Sequence, residues 1–188
     1  ILKKPRCAPI YSAYTGSRFT NEEIEEVLKA RGVAYERLDD REIFYDTVVK
    51  CLTGGGVVGW FHGRSEFGPR ALGGRSILCD PSRSDAKELI NSKIKRRESF
   101  RPFAPSILEE YASEYFEVNE TAYFMEKVLP IRPEKRSTIP AVTHVDGTGR
   151  LQTVNRSIAP EYYGLIDAFR RKTGIPLLLN TSFNENEP

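Results

Sequence analysis

The sequence predicts an α/β domain built on a mixed sheet. Amphipathic helical stretches alternate with short apolar strand-like runs, glycine and proline separate them, and one pair of runs flanks a tight turn that adds a hairpin. With 188 residues, 39% hydrophobic and 29% charged, the chain can bury one sizeable core and falls within the range of a single domain.

Thr20 to Glu23 has the form of a capping box, and Ile24, Val27 and Leu28 continue at helical spacing, so a helix is expected from about Asn21 to Arg31, stopping at Gly32. Val33 to Leu38 reads as a strand. Asp39 and Asp40 can cap a second helix, roughly Arg41 to Leu52, with Ile43, Thr47 and Val48 inward and Gly54 to Gly56 ending it. Val57 to Phe61 is expected to be a short buried strand. Ser84 or Asp85 caps the clearest helix, which carries Ala86, Leu89, Ile90 and Ile94 on one face and ends strongly cationic.

Phe103 to Leu108 then reads as a strand and Glu109 to Phe116 as a short helix. Prolines at 130, 133 and 140 leave residues 117–139 without an assigned element. Asp146 to Gly149 is a turn between two strand-like runs, Ala141 to Val145 and Arg150 to Val154. Pro160 opens a helix bearing Tyr162, Leu165, Ile166 and Phe169, Gly174 closes it, and Ile175 to Leu179 is a last buried strand. There is no internal repeat or flexible linker.

Composition excludes several classes of function. With 28 Lys+Arg against 26 Asp+Glu, the net charge is only +2, so anion binding must come from local clustering rather than from a whole-molecule field. Cys7, Cys51 and Cys79 form no C-x-x-C pair, which suits a reducing, cytoplasmic setting and argues against a zinc ribbon. Only two histidines, His62 and His144, are present and far apart, so no histidine-based metal site is expected. No apolar run approaches the roughly 20 residues of a membrane-spanning helix. The start lacks both an initiator Met and a signal-peptide core, and the chain stops just after an apolar run. It therefore reads as a segment truncated at both ends.

Three segments concentrate the chemistry. Gly63 to Arg75 combines glycines and a proline, which allow close backbone approach, with the planar donor forks of Arg64, Arg70 and Arg75. The bland alternative is a surface loop with solvated arginines. Lys93 to Arg101 holds five cations among nine residues and one acid, Glu98, a clustering whose self-repulsion calls for a bound anion unless it is only a solvated helix end. The adjoining Phe100 to Pro105 suggests a packed tail that fixes Arg101. Phe100 and Phe103 are able to stack bases, but the balanced charge elsewhere argues against nucleic acid as a partner. Leu177 to Asn184 runs from a buried strand into small hydrogen-bonding side chains, and alternation puts Asn180 and Ser182 on one side, where ligands gather at strand ends in open α/β sheets. A strand ending in an ordinary turn is the competing reading. Both histidines read as packing residues.

Together the segments resemble the carboxy-terminal domain of the O-carbamoyltransferases of the NodU and TobZ type. The match rests on Glu66-Phe-Gly-Pro-Arg-Ala-Leu-Gly-Gly-Arg-Ser-Ile77, on Asn91-Ser-Lys-Ile-Lys-Arg-Arg-Glu98 followed by Phe100-Arg-Pro-Phe-Ala-Pro-Ser106, on Gly149-Arg-Leu-Gln-Thr-Val154 and on Asn180-Thr-Ser-Phe-Asn184. These occur in the family's order and cover most of the chain from about residue 20.

The resemblance implies a YrdC-like fold, an open twisted mixed sheet with helices and a concave basic face, as a single domain over residues 1–188. It also implies that carbamoyl phosphate and ATP, with Mg2+ accompanying the nucleotide, give carbamoyl-adenylate and pyrophosphate. A preceding Kae1-like domain of the same polypeptide would pass the carbamoyl group to a hydroxyl. Matched residue by residue, the ligand-binding positions are Arg70, Lys95, Arg101, Arg150, Asn180 and Ser182, with Lys95, Arg101 and Arg70 at the reacting phosphates and no protein-bound metal. Arg75, Lys93 and Arg97 lie close enough to exchange roles with them. His62 stands where the family has an amide.

Such chemistry needs positioned cations to neutralise charge as pyrophosphate leaves, more than it needs an acid, base or nucleophile. The alternative is a YrdC-like module that binds a nucleotide or RNA without catalysis; the Asn180 and Ser182 pair, which a simple phosphate cradle does not require, argues against it. Threonylcarbamoyl-adenylate synthesis fits the fold but not the carbamoyltransferase motifs.

Overall fold

Capping chemistry sets the first two helices. The computed structural model describes residues 10–185; residues 1–9, Cys7 among them, and residues 186–188 lie outside the described part. In α1 (Asn21–Ala30) the Thr20 hydroxyl accepts from the Glu23 amide at 3.2 Å, while the Glu23 carboxylate accepts from the Thr20 amide at 2.7 Å. Two otherwise orphaned amides are thereby satisfied. Gly32 comes next after the helix end, at φ 62°. Asp40 caps α2 (Arg41–Thr53) by accepting from the amides of Glu42 and Ile43.

The buried face of α2 differs from the expected one. Tyr45, Val49 and Leu52, spaced i, i+4, i+7, form the inward stripe, whereas Ile43 and Thr47 are exposed. The partner that selects this stripe is α6 (Pro160–Thr173): the Tyr45 hydroxyl donates to the Glu161 carboxylate at 2.7 Å, and the same core cluster joins Val49 and Leu52 to Leu165 and Phe169.

Six strands form one open mixed sheet, so the α/β expectation holds. They are β1 (Val58–Phe61), β2 (Arg75–Cys79), β3 (Ala104–Leu108), β4 (Lys127–Pro130), β5 (Thr148–Val154) and β6 (Leu177–Ser182), in the order β1-β2-β6-β3-β5-β4. Only β3 and β5 pair in parallel. Strand alternation divides two cores across the sheet. Leu177 and Leu179 meet Ala86, Ile90, Tyr115 and Phe116 on one face. Leu178, Leu78 and Leu108 meet α2 and α6 on the other.

Three expected strands need correction. Residues 33–38 form none, because their side chains find local partners rather than a sheet edge: Tyr35 donates to Glu25, and Arg37 pairs with Glu25 and Asp39. β1 is an edge strand rather than a buried one, with only Trp60 buried. Residues 141–145 do not pair with β5. Pro140 opens a 3-10 turn, Pro140–Val142, that sends Ala141 and Val142 into the core, and β5 takes β4 as its partner, from Lys127 opposite Leu151 to Pro130 opposite Thr148. The turn at Asp146 and Gly147 is nevertheless present, closed by the His144 amide donating to the Thr148 carbonyl at 2.8 Å.

The remaining short helices are α3 (Ala86–Leu89), α4 (Ala112–Tyr115) and α5 (Pro133–Arg136). Gly174, at φ 79°, closes α6 and turns the chain toward β6. Among the described residues, no helix is long and apolar enough to cross a membrane, and Cys51 and Cys79 are free thiols.

Phe169 is fully buried where α6 meets the sheet. Phe169→Ala should lower the unfolding free energy by about 3–5 kcal/mol, read from the midpoint of urea denaturation at unchanged m-value.

Candidate functional site

A change of helical pitch builds the basic segment. α3 passes into a π-helical turn, Ile90–Ile94, in which the Lys95 amide donates to the Ile90 carbonyl at 2.8 Å. The wider turn shifts the register of the residues C-terminal to it. Lys95, one of the expected ligand residues, is only 2% exposed, which rules out the competing reading of a solvated helix end at this position. Its ammonium donates to the Ser182 carbonyl and hydroxyl and to the Asn184 carbonyl and side-chain oxygen, the last two at 2.7 and 3.0 Å. All four acceptors are neutral. Burial, and then the charge of Arg97, pushes the Lys95 pKa down to about 8.

Other cations lie within electrostatic reach. Burial first, then Arg101, lowers the pKa of Arg97, with Glu98 opposing and Arg150 adding to the effect. Burial first, then Arg70, lowers that of Arg150. Arg70, Lys95, Arg97, Arg101 and Arg150 thus form a linked set drawn from three separate segments. Among the described residues only Arg101 of this set has a carboxylate within 4.0 Å, Glu98 at 2.8 Å. Lys93 is exposed.

Asn180 occupies a different place from the one expected. It lies within β6 rather than at its end, opposite Leu78 of β2 and Ala104 of β3, and is 1% exposed. With Ser106 of β3 and Gln152 of β5 it forms a buried polar row across the sheet. The Asn180 amide nitrogen lies 3.1 Å from the Ala71 carbonyl and 3.0 Å from the Ser106 hydroxyl oxygen, and that hydroxyl donates to the Gln152 side-chain oxygen at 2.6 Å. Gln152 in turn donates to the Leu72 carbonyl at 2.8 Å, which also accepts from the Tyr14 hydroxyl at 2.6 Å. The row therefore holds the backbone directly after Arg70. Ser182, at the end of β6, is partly exposed and contacts Lys95.

Two residues of the glycine-rich segment prove to be clasps. One oxygen of Glu66 accepts from the amides of Leu72, Gly74 and Arg75 at 2.7, 2.7 and 3.1 Å. Arg75, a possible ligand residue by sequence, is spent on the carbonyls of Ser17, His62, Gly63 and Gly74 and stacks 3.6 Å over the Phe61 ring. Gly73 is required here: its φ is 104°, and a Cβ would stand 2.1 Å from the Tyr162 ring. Sequence reasoning passed over Glu66, Ser106 and Gln152. The available signals were a lone acid among three arginines and a polar residue two positions beyond Arg150 on the same strand face.

A separate cleft of about 300 Å³ lies between His62, Arg64, Gly73 and the start of α6. None of the six expected ligand residues lines it. His62 lines it, with its ring 5.9 Å from that of Trp60, and is exposed there rather than packed in the interior. No group of three or more His, Cys, Asp or Glu able to hold a metal occurs among the described residues.

Residues 49–188 match the family model described as "Carbamoyltransferase C-terminus". The nodulation protein NolNO of Sinorhizobium fredii is 51% identical over 87% of this chain and 24% of its own length. NolO of Bradyrhizobium diazoefficiens is 46% identical over 92% of the chain and 32% of its length. A 3'-hydroxymethylcephem-O-carbamoyltransferase of Amycolatopsis lactamdurans is 39% identical over 80% of the chain and 28% of its length. The chain spans about a quarter to a third of the length of these relatives.

The position of Lys95 predicts a pH effect. Its folded pKa of about 8 lies below the ordinary 10.5, so between those values the unfolded chain binds the extra proton and stability rises with pH. Relative to Lys95→Met, the wild type should gain melting temperature as pH increases from 8 to about 10. Parallel melting curves for the two proteins across that window would show Lys95 to be freely solvated.

Proposed function

Because the chain belongs to the carbamoyltransferase C-terminus family, we propose that it is the adenylate-forming part of an O-carbamoyltransferase. In this reading carbamoyl phosphate loses its phosphate to water, and the resulting carbamate oxygen attacks the α-phosphorus of ATP. The bond to the bridging oxygen of the β-phosphate breaks, and pyrophosphate leaves. The observation that carries the reading is the linked set of five cations with a single carboxylate beside it. Like charges held together in partly buried surroundings repel unless an anion joins them, and a phosphate-rich substrate supplies that anion.

The residues divide the work by position. Arg70, Arg101 and Arg150 offer planar forks to phosphate oxygens and stabilise the charge that grows on the leaving pyrophosphate. Lys95 adds its charge from beneath while fixing Ser182 and Asn184, and the partly exposed Ser182 hydroxyl faces the carbamoyl group or a phosphate oxygen. Asn180 acts through the loop, holding the Ala71 carbonyl beside Arg70. The donor set fits ATP as a polyanion. Mg2+ would arrive on the nucleotide's own phosphates, where it neutralises charge. In this reading the hydroxyl acceptor and its transfer site belong to a Kae1-like domain outside this chain, which spans 24% and 28% of the length of two of its relatives. Free Cys51 and Cys79 accord with a cytoplasmic setting.

The test is carbamoyl-phosphate-dependent exchange of labelled pyrophosphate into ATP. Arg101→Ala and Arg150→Ala should each reduce it on the order of a hundredfold with little change in melting temperature. Arg70→Lys should weaken ligand binding despite its retained charge, because the two-pronged fork is lost. Exchange at wild-type rate in both alanine variants would remove this cluster from the reaction.

A further inference from the structure

We propose that Arg97 is an additional anion-binding residue of this site and that Asn91 sets its orientation; the inference rests on the adenylate-forming reading. Arg97 feels the charge of two of the cations already assigned, Arg101 and Arg150. Its Nε donates to the Asn91 side-chain oxygen at 2.7 Å, and its guanidinium lies 5.1 Å over the Phe103 ring. Those two contacts fix the plane of the guanidinium. Among the described residues its two terminal nitrogens have no hydrogen-bond partner, and no carboxylate comes within 4.0 Å of it, although Glu98 is near enough to be felt. A guanidinium held through Nε, with both terminal nitrogens unused, is pre-oriented for two oxygens of one phosphate.

Asn91 carries this arrangement. It is fully buried in the π-helical turn. While its side-chain oxygen takes the Arg97 Nε proton, its amide nitrogen donates to the carbonyls of Ser99 and Arg101 at 3.2 and 3.1 Å, and its main-chain carbonyl accepts from the Arg97 amide at 3.0 Å. One side chain therefore closes the loop from residue 96 to 101 from inside. The closure matters because Arg96 adopts φ 47°, a backbone conformation that a long side chain avoids unless its neighbours enforce it. Asn91 is thus a positioning residue, and Arg97 is the group it aims.

Calorimetric titration of pyrophosphate and of carbamoyl phosphate tests both assignments in wild type, Arg97→Ala, Arg97→Lys, Asn91→Ala and the Asn91→Ala/Arg97→Ala double variant, with Arg101→Ala as the comparison. Arg97→Ala should weaken pyrophosphate binding about tenfold to a hundredfold, the usual range for a lost charge-assisted hydrogen bond. Arg97→Lys should recover only part of it. Asn91→Ala should weaken binding less, and should add little in the Arg97→Ala background, because the two residues act as one unit; additive effects would overturn the positioning role. If Asn91→Ala does not fold, the two Arg97 variants decide, since Arg97 is partly exposed. Wild-type affinity in both Arg97 variants, with Arg101→Ala still weakened, overturns the inference and leaves the adenylate-forming reading standing. A wild-type chain that binds neither anion overturns both.

Discussion

The buried polar row of Asn180, Ser106 and Gln152 is the constraint on which the site depends. These residues are buried in the interior of the sheet, where each unmet donor or acceptor costs on the order of 1–3 kcal/mol. The donors of Asn180 and Gln152 are met within the row and by the carbonyls of Ala71 and Leu72, while the Asn180 side-chain oxygen is left without a partner. The glycine-rich segment is consequently not free to lie elsewhere. Docking it brings Arg70 toward Arg150, and the clasps made by Glu66 and Arg75 keep the docked backbone in one shape. The polar row and the cation pair are the two ends of one arrangement.

Charge supplies the opposing force. Five linked cations with one nearby carboxylate destabilise the free protein, and the fold tolerates them by giving the most deeply placed of them, Lys95, four neutral oxygens instead of an acid. A carboxylate in that position would have relieved the repulsion and cancelled the field. Neutral oxygens hold the ammonium in place while leaving its charge available to the site. Arg75 shows the contrasting case. Its guanidinium is spent on four main-chain carbonyls and an aromatic ring, so it shapes the loop and stays outside the linked set.

Local irregularity aims the groups. The π-helical turn at Ile90–Ile94 interrupts a stretch that sequence periodicity reads as a regular amphipathic helix and rotates its end, so that Asn91 and Lys95 point inward. The left-handed residue Arg96 then turns the chain, and Arg97 ends within electrostatic reach of Arg150 on β5. The cost of these departures from regular backbone is offset by hydrogen bonds from Asn91.

By itself the sequence determined the local features. The capping box at Thr20 and Glu23, the Asp40 cap, the Gly174 stop and the apolar runs of β3, β5 and β6 are written in neighbouring residues, because helix ends and strand alternation depend on contacts only a few positions apart. The three cation-bearing segments were legible for the same reason, as dense local compositions. Tertiary structure alone decided which strand pairs with β5, that residues 33–38 pair with none, and that Ile43 faces solvent while Tyr45 faces α6, since edges and helix faces are chosen by partners far along the chain. It also decided which guanidinium the fold consumes. Arg70, Arg75, Arg97 and Arg101 carry the same group, and Arg75 differs from the other three in that distant carbonyls take up its hydrogens, a matter of tertiary proximity that no local pattern of residues encodes.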